Sequence, residues 1–197
     1  MYILAGRFLI TSFRFKAWFT FLLIPPTSVF MNKILLSLFA TIFMSTAFPQ
    51  VPDIEWSRCL GGSNRDNVHS ILKTPDGGSL VCGNTMSTDG DVTCQHDTLG
   101  WWDIWVTRLD SAGNILWTQC YGGSMTDISY DAIATADGGY ALCGYAISTN
   151  GDVTGHYPGF VSDAWVIKID YMGNLQWQKI LGGTALDRLR NMIQTSD

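Results

Sequence analysis

Asp89, Asp91 and Asp97 fall within nine residues of one another, and Asn150 and Asp152 recur one repeat later in "STNGDVT". Closely spaced Asp and Asn oxygens around glycine are the donor set that Ca²⁺ prefers. The run "TDGD" lacks the twelve-residue spacing and terminal glutamate of an EF-hand, so Asx-turn chemistry, in which the same oxygens bond backbone amides, is the competing reading. A second set of carboxylates, Asp66, Asp127 and Asp187, follows the pairs Gly61-Gly62, Gly122-Gly123 and Gly182-Gly183. A repeated carboxylate at a repeated corner reads as a turn cap, because catalysis needs one asymmetric constellation. The histidines are His69, His96 and His156; Cys94 and His96 make a C-x-H pair, too few ligands for zinc. No G-x-S-x-G elbow and no helix-opening phosphate loop occurs, and the chain is expected to be a non-enzymatic module. The alternatives are a fragment of a glycan-active or redox enzyme whose catalytic residues lie in further repeats, and a purely structural spacer array. Trp101, Trp102, Tyr145, Tyr157 and Phe160 lie in or beside the polar insertions. Burial as loop anchors is the favoured expectation for them. If exposed, Trp101, Trp102 and Tyr157 are the candidates to stack on a glycan or a protein partner.

These residues are set in a tandem repeat. Trp56, Trp117 and Trp177 are spaced by 61 and 60 residues, and Asp76, Asp137 and Asp197 keep the same step. Each unit reads as four short strands. "HSILKT" and "SLVCGNT" flank an Asp-Gly-Gly turn, whose glycines supply the positive φ a tight hairpin needs. After the insertion, "DIWVTRLD" and "DAWVIKID" alternate with period two, placing Trp165, Ile167 and Ile169 on one face and Val106 and Val166 on the other. "ILWTQCYGG" and "LQWQKILGG" follow a second turn. Counted from the leader, the repeats are 54–114, 115–174 and a truncated 175–197. The expected fold is all-β: an incomplete β-propeller-like array of four-stranded antiparallel blades of about 60 residues. A parallel β-helix and a string of small sandwiches are the alternatives. The break inside the third unit carries the expectation of a longer protein.

Charge and cysteine usage bound the rest. Four of the 12 basic residues and none of the acids precede Phe48, leaving eight bases against 17 acids, a surface that repels nucleic acid and anionic membrane. Every acid except Glu55 is aspartate, a turn former. Residues 31–47 have the layout of a signal peptide, with a charged start at Lys33, an apolar stretch and a small-residue end at Ala47. Residues 1–30 read as a spurious extension or a hydrophobic segment, and the mature domain is 48–197. Cys59 and Cys120, like Cys82 and Cys143, are repeat-equivalent. Free thiols packed as small hydrophobes are the favoured expectation, with a bridge involving Cys94 as the alternative.

The ordered pattern W-x-x-x-x-GG-x-x-x-D, T-x-DGG-x-x-x-x-G, S-x-x-GD-V-T and D-x-W-V-x-x-x-D-x-x-GN-x-x-W resembles the repeats of exported proteins of Bacteroidetes-type bacteria. The resemblance covers about Ile54 to Asp197. It implies a secreted or cell-surface location and, for the family, a C-terminal type IX sorting domain that this sequence lacks. A looser likeness to quinoprotein-type blades rests on Asp110, Gly113 and Trp117 and on Asp170, Gly173 and Trp177. It implies the fold only and no cofactor.

Overall fold

The Asp-Gly-Gly turns close as their composition requires. In the first, Thr74 donates its backbone N–H to the Gly78 carbonyl and Gly77 donates back to Thr74, both at 3.0 Å, with Gly77 at φ 86°. The Thr74 hydroxyl donates to Asp76 Oδ1 at 2.7 Å, so the aspartate fixes the turn from inside. Thr135, Asp137 and Gly138 repeat the arrangement. The structure, a computed structural model, describes residues 53–96, 99–156, 159 and 161–196. The leader and signal-peptide expectations, and Asp97 and Tyr157, lie outside the described residues.

Eight strands follow in order: β1 (Asp66–Lys73), β2 (Ser79–Thr85), β3 (Asp103–Leu109), β4 (Ile115–Tyr121), β5 (Asp127–Ala134), β6 (Tyr140–Ala146), β7 (Asp163–Ile169) and β8 (Leu175–Leu181). They form two four-stranded antiparallel sheets, β1-β2-β3-β4 and β5-β6-β7-β8, with no helix among the described residues. The repeat counted from tryptophan to tryptophan is out of phase with the sheets. Trp117 opens the second sequence repeat but lies in the last strand of the first sheet.

Central strands are buried on both faces, so their mid-strand positions, such as Leu80, Val81 and Cys82 in β2 and Ile104, Trp105 and Val106 in β3, are apolar. Every residue of β3 is buried, whereas the edge strand β1 only alternates between half-buried and exposed. The largest core cluster joins Leu80, Cys82, Ile104 and Val106 of the first sheet to Leu142, Trp165, Ile167 and Ile169 of the second. Thus the Val106 face of one sheet packs on the Trp165 face of the next. Burying side chains of this size contributes about 2 kcal/mol each. The opposite face of the first sheet carries Trp105, packed with Val92, Cys120, Leu60 and Cys94.

Each sheet also has a bulge in its first strand. The register slips between Val68 and Ser70 and again between Ser129 and Asp131. The bulged backbone comes so close to the neighbouring strand that a Cβ on Gly83 would lie 1.8 Å from the Asn67 carbonyl oxygen, and one on Gly144 would lie 1.8 Å from that of Ile128. Only glycine fits there. The bulged residues align along the stack: His69 meets Tyr130 edge-on at 5.7 Å, and the Arg190 guanidinium lies 4.1 Å from the Tyr130 ring centre.

Candidate functional site

The Gly-Gly corners and the insertions lock together. Asp66 Oδ2 accepts the Gly62 N–H at 2.8 Å and the Ser87 hydroxyl at 2.9 Å. Asp127 does the same with Gly123 at 2.9 Å and Ser148 at 2.6 Å, and Asp187 accepts from Gly183 at 3.1 Å. These are the turn caps expected from their repetition. Burial pushes the Asp127 carboxyl up to about 6, although the Ser148 and Gly123 donors oppose the shift.

The proposed calcium ligands act as acceptors for the same corners. Asp89 Oδ1 takes the Ser63 N–H at 2.7 Å and Asn150 Oδ1 the Ser124 N–H at 2.9 Å. Asp91 Oδ2 accepts from Gly61 at 3.4 Å and its Oδ1 pairs with Arg58 at 3.3 Å. Asp152 Oδ2 accepts from Gly122 at 3.2 Å. Their oxygens are therefore spread over backbone amides and a guanidinium. Among the described residues no group of three or more His, Cys, Asp or Glu side chains is placed to hold a metal ion.

Asp152 has a second partner, His96 of the preceding unit. His96 Nε2 lies 3.3 Å from Asp152 Oδ2, and its Nδ1 lies 3.0 Å from Asp103 Oδ2. The His96 backbone N–H donates to the same Asp103 oxygen at 2.7 Å. Asp103 is fully buried at the start of β3, while the His96 and Asp152 side chains are 30% and 28% exposed. Hydrogen bonds to the two carboxylates raise the His96 imidazole to about 10, against the lowering effect of its burial. It is an imidazolium at neutral pH, with both ring N–H groups donated. A cation held this way has no lone pair to accept a proton, so it cannot act as a general base. Its geometry instead clasps the first sheet to the loop of the second.

The second unit carries the start of the same clasp. His156 Nε2 lies 3.8 Å from Asp163 Oδ2, and the same nitrogen is 3.0 Å from the Ala146 carbonyl oxygen. The joint between the two sheets is reinforced by an indole. Trp117 sits against Gly173 in the β7–β8 turn and donates Nε1–H to the Tyr171 carbonyl at 3.3 Å. The Tyr121 hydroxyl donates to the Gly173 carbonyl at 2.5 Å. Trp117 and Trp177 hold matching registers, opposite Arg108 and Lys168, but Trp177 is 52% exposed.

Two expectations are corrected. Cys120 is not a free thiol: it is bridged to Cys94, with Cα atoms 5.2 Å apart. Cys82 and Cys143 are free and buried, as expected of small hydrophobes, but Cys59 is free and exposed. The bridge pins the insertion to β4 because Cys94 falls beside the Trp105 face, where Cys120 also points. The second correction concerns burial of the loop aromatics. Trp101 is 44% exposed beside Leu99 at 80%, whereas Trp102 and Tyr145 are half-buried. The part of the loop that covers the Trp105 face is Val92 and Cys94, and Trp101 is not in that cluster. Its backbone carbonyl accepts from Gln95 Nε2 at 2.7 Å.

A polar recess of about 310 Å³ opens beside the clasp, lined by His96, Asp152, Gln119, Tyr121 and the disulfide. Both of its cysteines are oxidised, and burial holds the Tyr121 hydroxyl above its ordinary value.

The reading of the sequence singled out neither His96 as a clasp nor Asp103 and Asp163. The signal was present: His96 and His156 are 60 residues apart, as are Asp103 and Asp163. No protein-family model matches this chain, and no curated protein matches it.

Proposed function

We propose that the chain is a non-enzymatic repeat module of a propeller-like array, exported to the cell surface or beyond. It binds a glycan through the loop between β2 and β3, with a protein surface as the second ligand class. The observation that carries this reading is Trp101, 44% exposed beside Leu99 on a loop tied down at Cys94 and His96. A clamped loop that offers an aromatic face loses little conformational freedom on binding. Export is supported by the disulfide, which persists in oxidising compartments. The array is supported by the directional packing of like sheets, in which one Val face meets one Trp face. The resemblance to exported Bacteroidetes-type repeats points the same way.

A glycan array probed with the full chain tests the reading. Binding that disappears in Trp101→Ala, with an unchanged melting temperature, is the expected result. Undiminished binding by Trp101→Ala would remove the loop from the interface, and a blank array would turn the search to protein ligands.

A further inference from the structure

The segment Trp56–Gly62 occupies, against the first sheet, the place that β4 occupies against the second. The Trp56 ring lies where a Cβ on Gly113 would be, and its Nε1–H donates to the Ser111 carbonyl at 3.1 Å. Trp117 makes the same two contacts with Gly173 and Tyr171. Arg58 donates to the Gly113 carbonyl at 3.4 Å, as Tyr121 does to that of Gly173. Asp91 N–H donates to the Gly61 carbonyl at 3.0 Å, and Asp152 N–H to that of Gly122 at 2.8 Å. The glycine pair then turns onto Asp66 as its equivalent turns onto Asp127.

One thing differs. Strand β4 pairs with β3 and β8 with β7, but among the described residues no strand pairs with Trp56–Gly62. We propose that Trp56–Gly62 is the fourth strand of a further sheet, completed by a three-stranded unit of this same repeat whose third, Asp-x-Trp-Val strand pairs with it antiparallel. The inference rests on reading the chain as an array of like sheets. A second copy of this chain is not the occupant. Both of its Asp-x-Trp-Val strands, β3 and β7, already have partners on each side. The occupant is a unit without a fourth strand of its own, recognised by strand addition at an open edge.

The cysteines sharpen the chemistry of that unit. In the first sheet Cys120 is bridged to Cys94 in the insertion. In the second sheet both positions change together, to Ile180 and Gly155. Cys59 stands at the Cys120 position and is a free, exposed thiol. The completing unit therefore carries a cysteine in its insertion, at the position of Cys94, and bridges to Cys59. With glutathione disulfide as oxidant, the two thiols lose two protons and two electrons, one S–S bond forms, and two glutathione thiols are released.

The test uses the full chain and a synthetic peptide with the sequence of residues 92–110, which holds Cys94 and the β3 strand. A control peptide keeps the cysteine and its neighbours but scrambles residues 103–110. Both are incubated with the protein in glutathione redox buffer, and mixed disulfides are mapped by mass spectrometry. Capture of the native-order peptide at Cys59 is expected to exceed that of the control by about tenfold, the factor a modest strand register of about 1.4 kcal/mol supplies. Capture is expected to vanish in Cys59→Ser. Equal capture of the two peptides, or capture at another cysteine, would overturn the proposal. Neither outcome depends on Trp101, so glycan binding succeeds or fails separately.

Discussion

Replacing His96 with glutamine keeps most of its volume and one donor but removes the positive charge between Asp103 and Asp152. The histidine rises from 6.5 in the open chain to about 10 in the fold. Taken alone, such a shift is worth up to about 5 kcal/mol. The ring is 30% exposed and Asp152 28% exposed, so solvent screening reduces this to about 2–3 kcal/mol. Most of that belongs to Asp103, which is fully buried and loses its cationic partner. Removing one partner of a buried pair costs about 3–5 kcal/mol, but the partner at the rim much less. Asp152→Asn is therefore expected to cost only about 1 kcal/mol.

The pH dependence separates charge from packing. A group whose folded value is raised stabilises fully below its unfolded value and loses that contribution as pH climbs through the folded one. The difference between wild type and His96→Gln in urea unfolding is thus greatest below pH 6.5 and closes as pH passes about 10. Asp127, raised to about 6, contributes stability below 3.8 that is lost through pH 6, but it does so in both proteins and cancels. A difference that stays constant from pH 6 to 10, or equal costs for His96→Gln and Asp152→Asn, would refute the clasp.

Three further outcomes are expected. Replacing Cys94 and Cys120 together by serine frees a loop of 26 residues and costs about 3 kcal/mol, read as a lowered urea midpoint that reductant reproduces in the wild type. Trp117→Ala removes an indole packed on the second sheet and costs about 3 kcal/mol, whereas Trp177→Ala, at a site 52% exposed, costs under about 1 kcal/mol; equal melting shifts would contradict the joint. Gly83→Ala drives a methyl onto the Asn67 carbonyl and is expected to leave no cooperative unfolding transition, while Gly138→Ala, with nothing within 4 Å but φ of 85°, lowers stability by about 1 kcal/mol.

Strand identity and turn chemistry were readable because the repeat reports them twice. Val106 and Val166 opposite Trp105 and Trp165, and Asp-Gly-Gly before each second strand, favour antiparallel hairpins. The carboxylate caps were readable for the same reason, since Asp66 and Asp127 recur at identical corners. The clasp was not, because its members belong to different units: His96 finds Asp152 56 positions later, and no local pattern ties them. The sequence offers a bridge involving Cys94 but not its partner, because Cys120 and Cys59 are equivalent in the repeat. Comparing Gly155 and Ile180 as a pair would have pointed to it. Exposure of Trp101 depends on where the loop projects, which alternation cannot report in an irregular segment.

The packing of a valine face onto a tryptophan face gives each sheet a front and a back. The one seam between the two sheets therefore has a sense of direction, and a like sheet added in the same sense would meet the same fitting. Whole units can then be gained or lost by duplication without new complementarity having to evolve. The single-residue difference between the two steps falls in the insertion and not in a strand, so length can vary there while the strand registers stay matched.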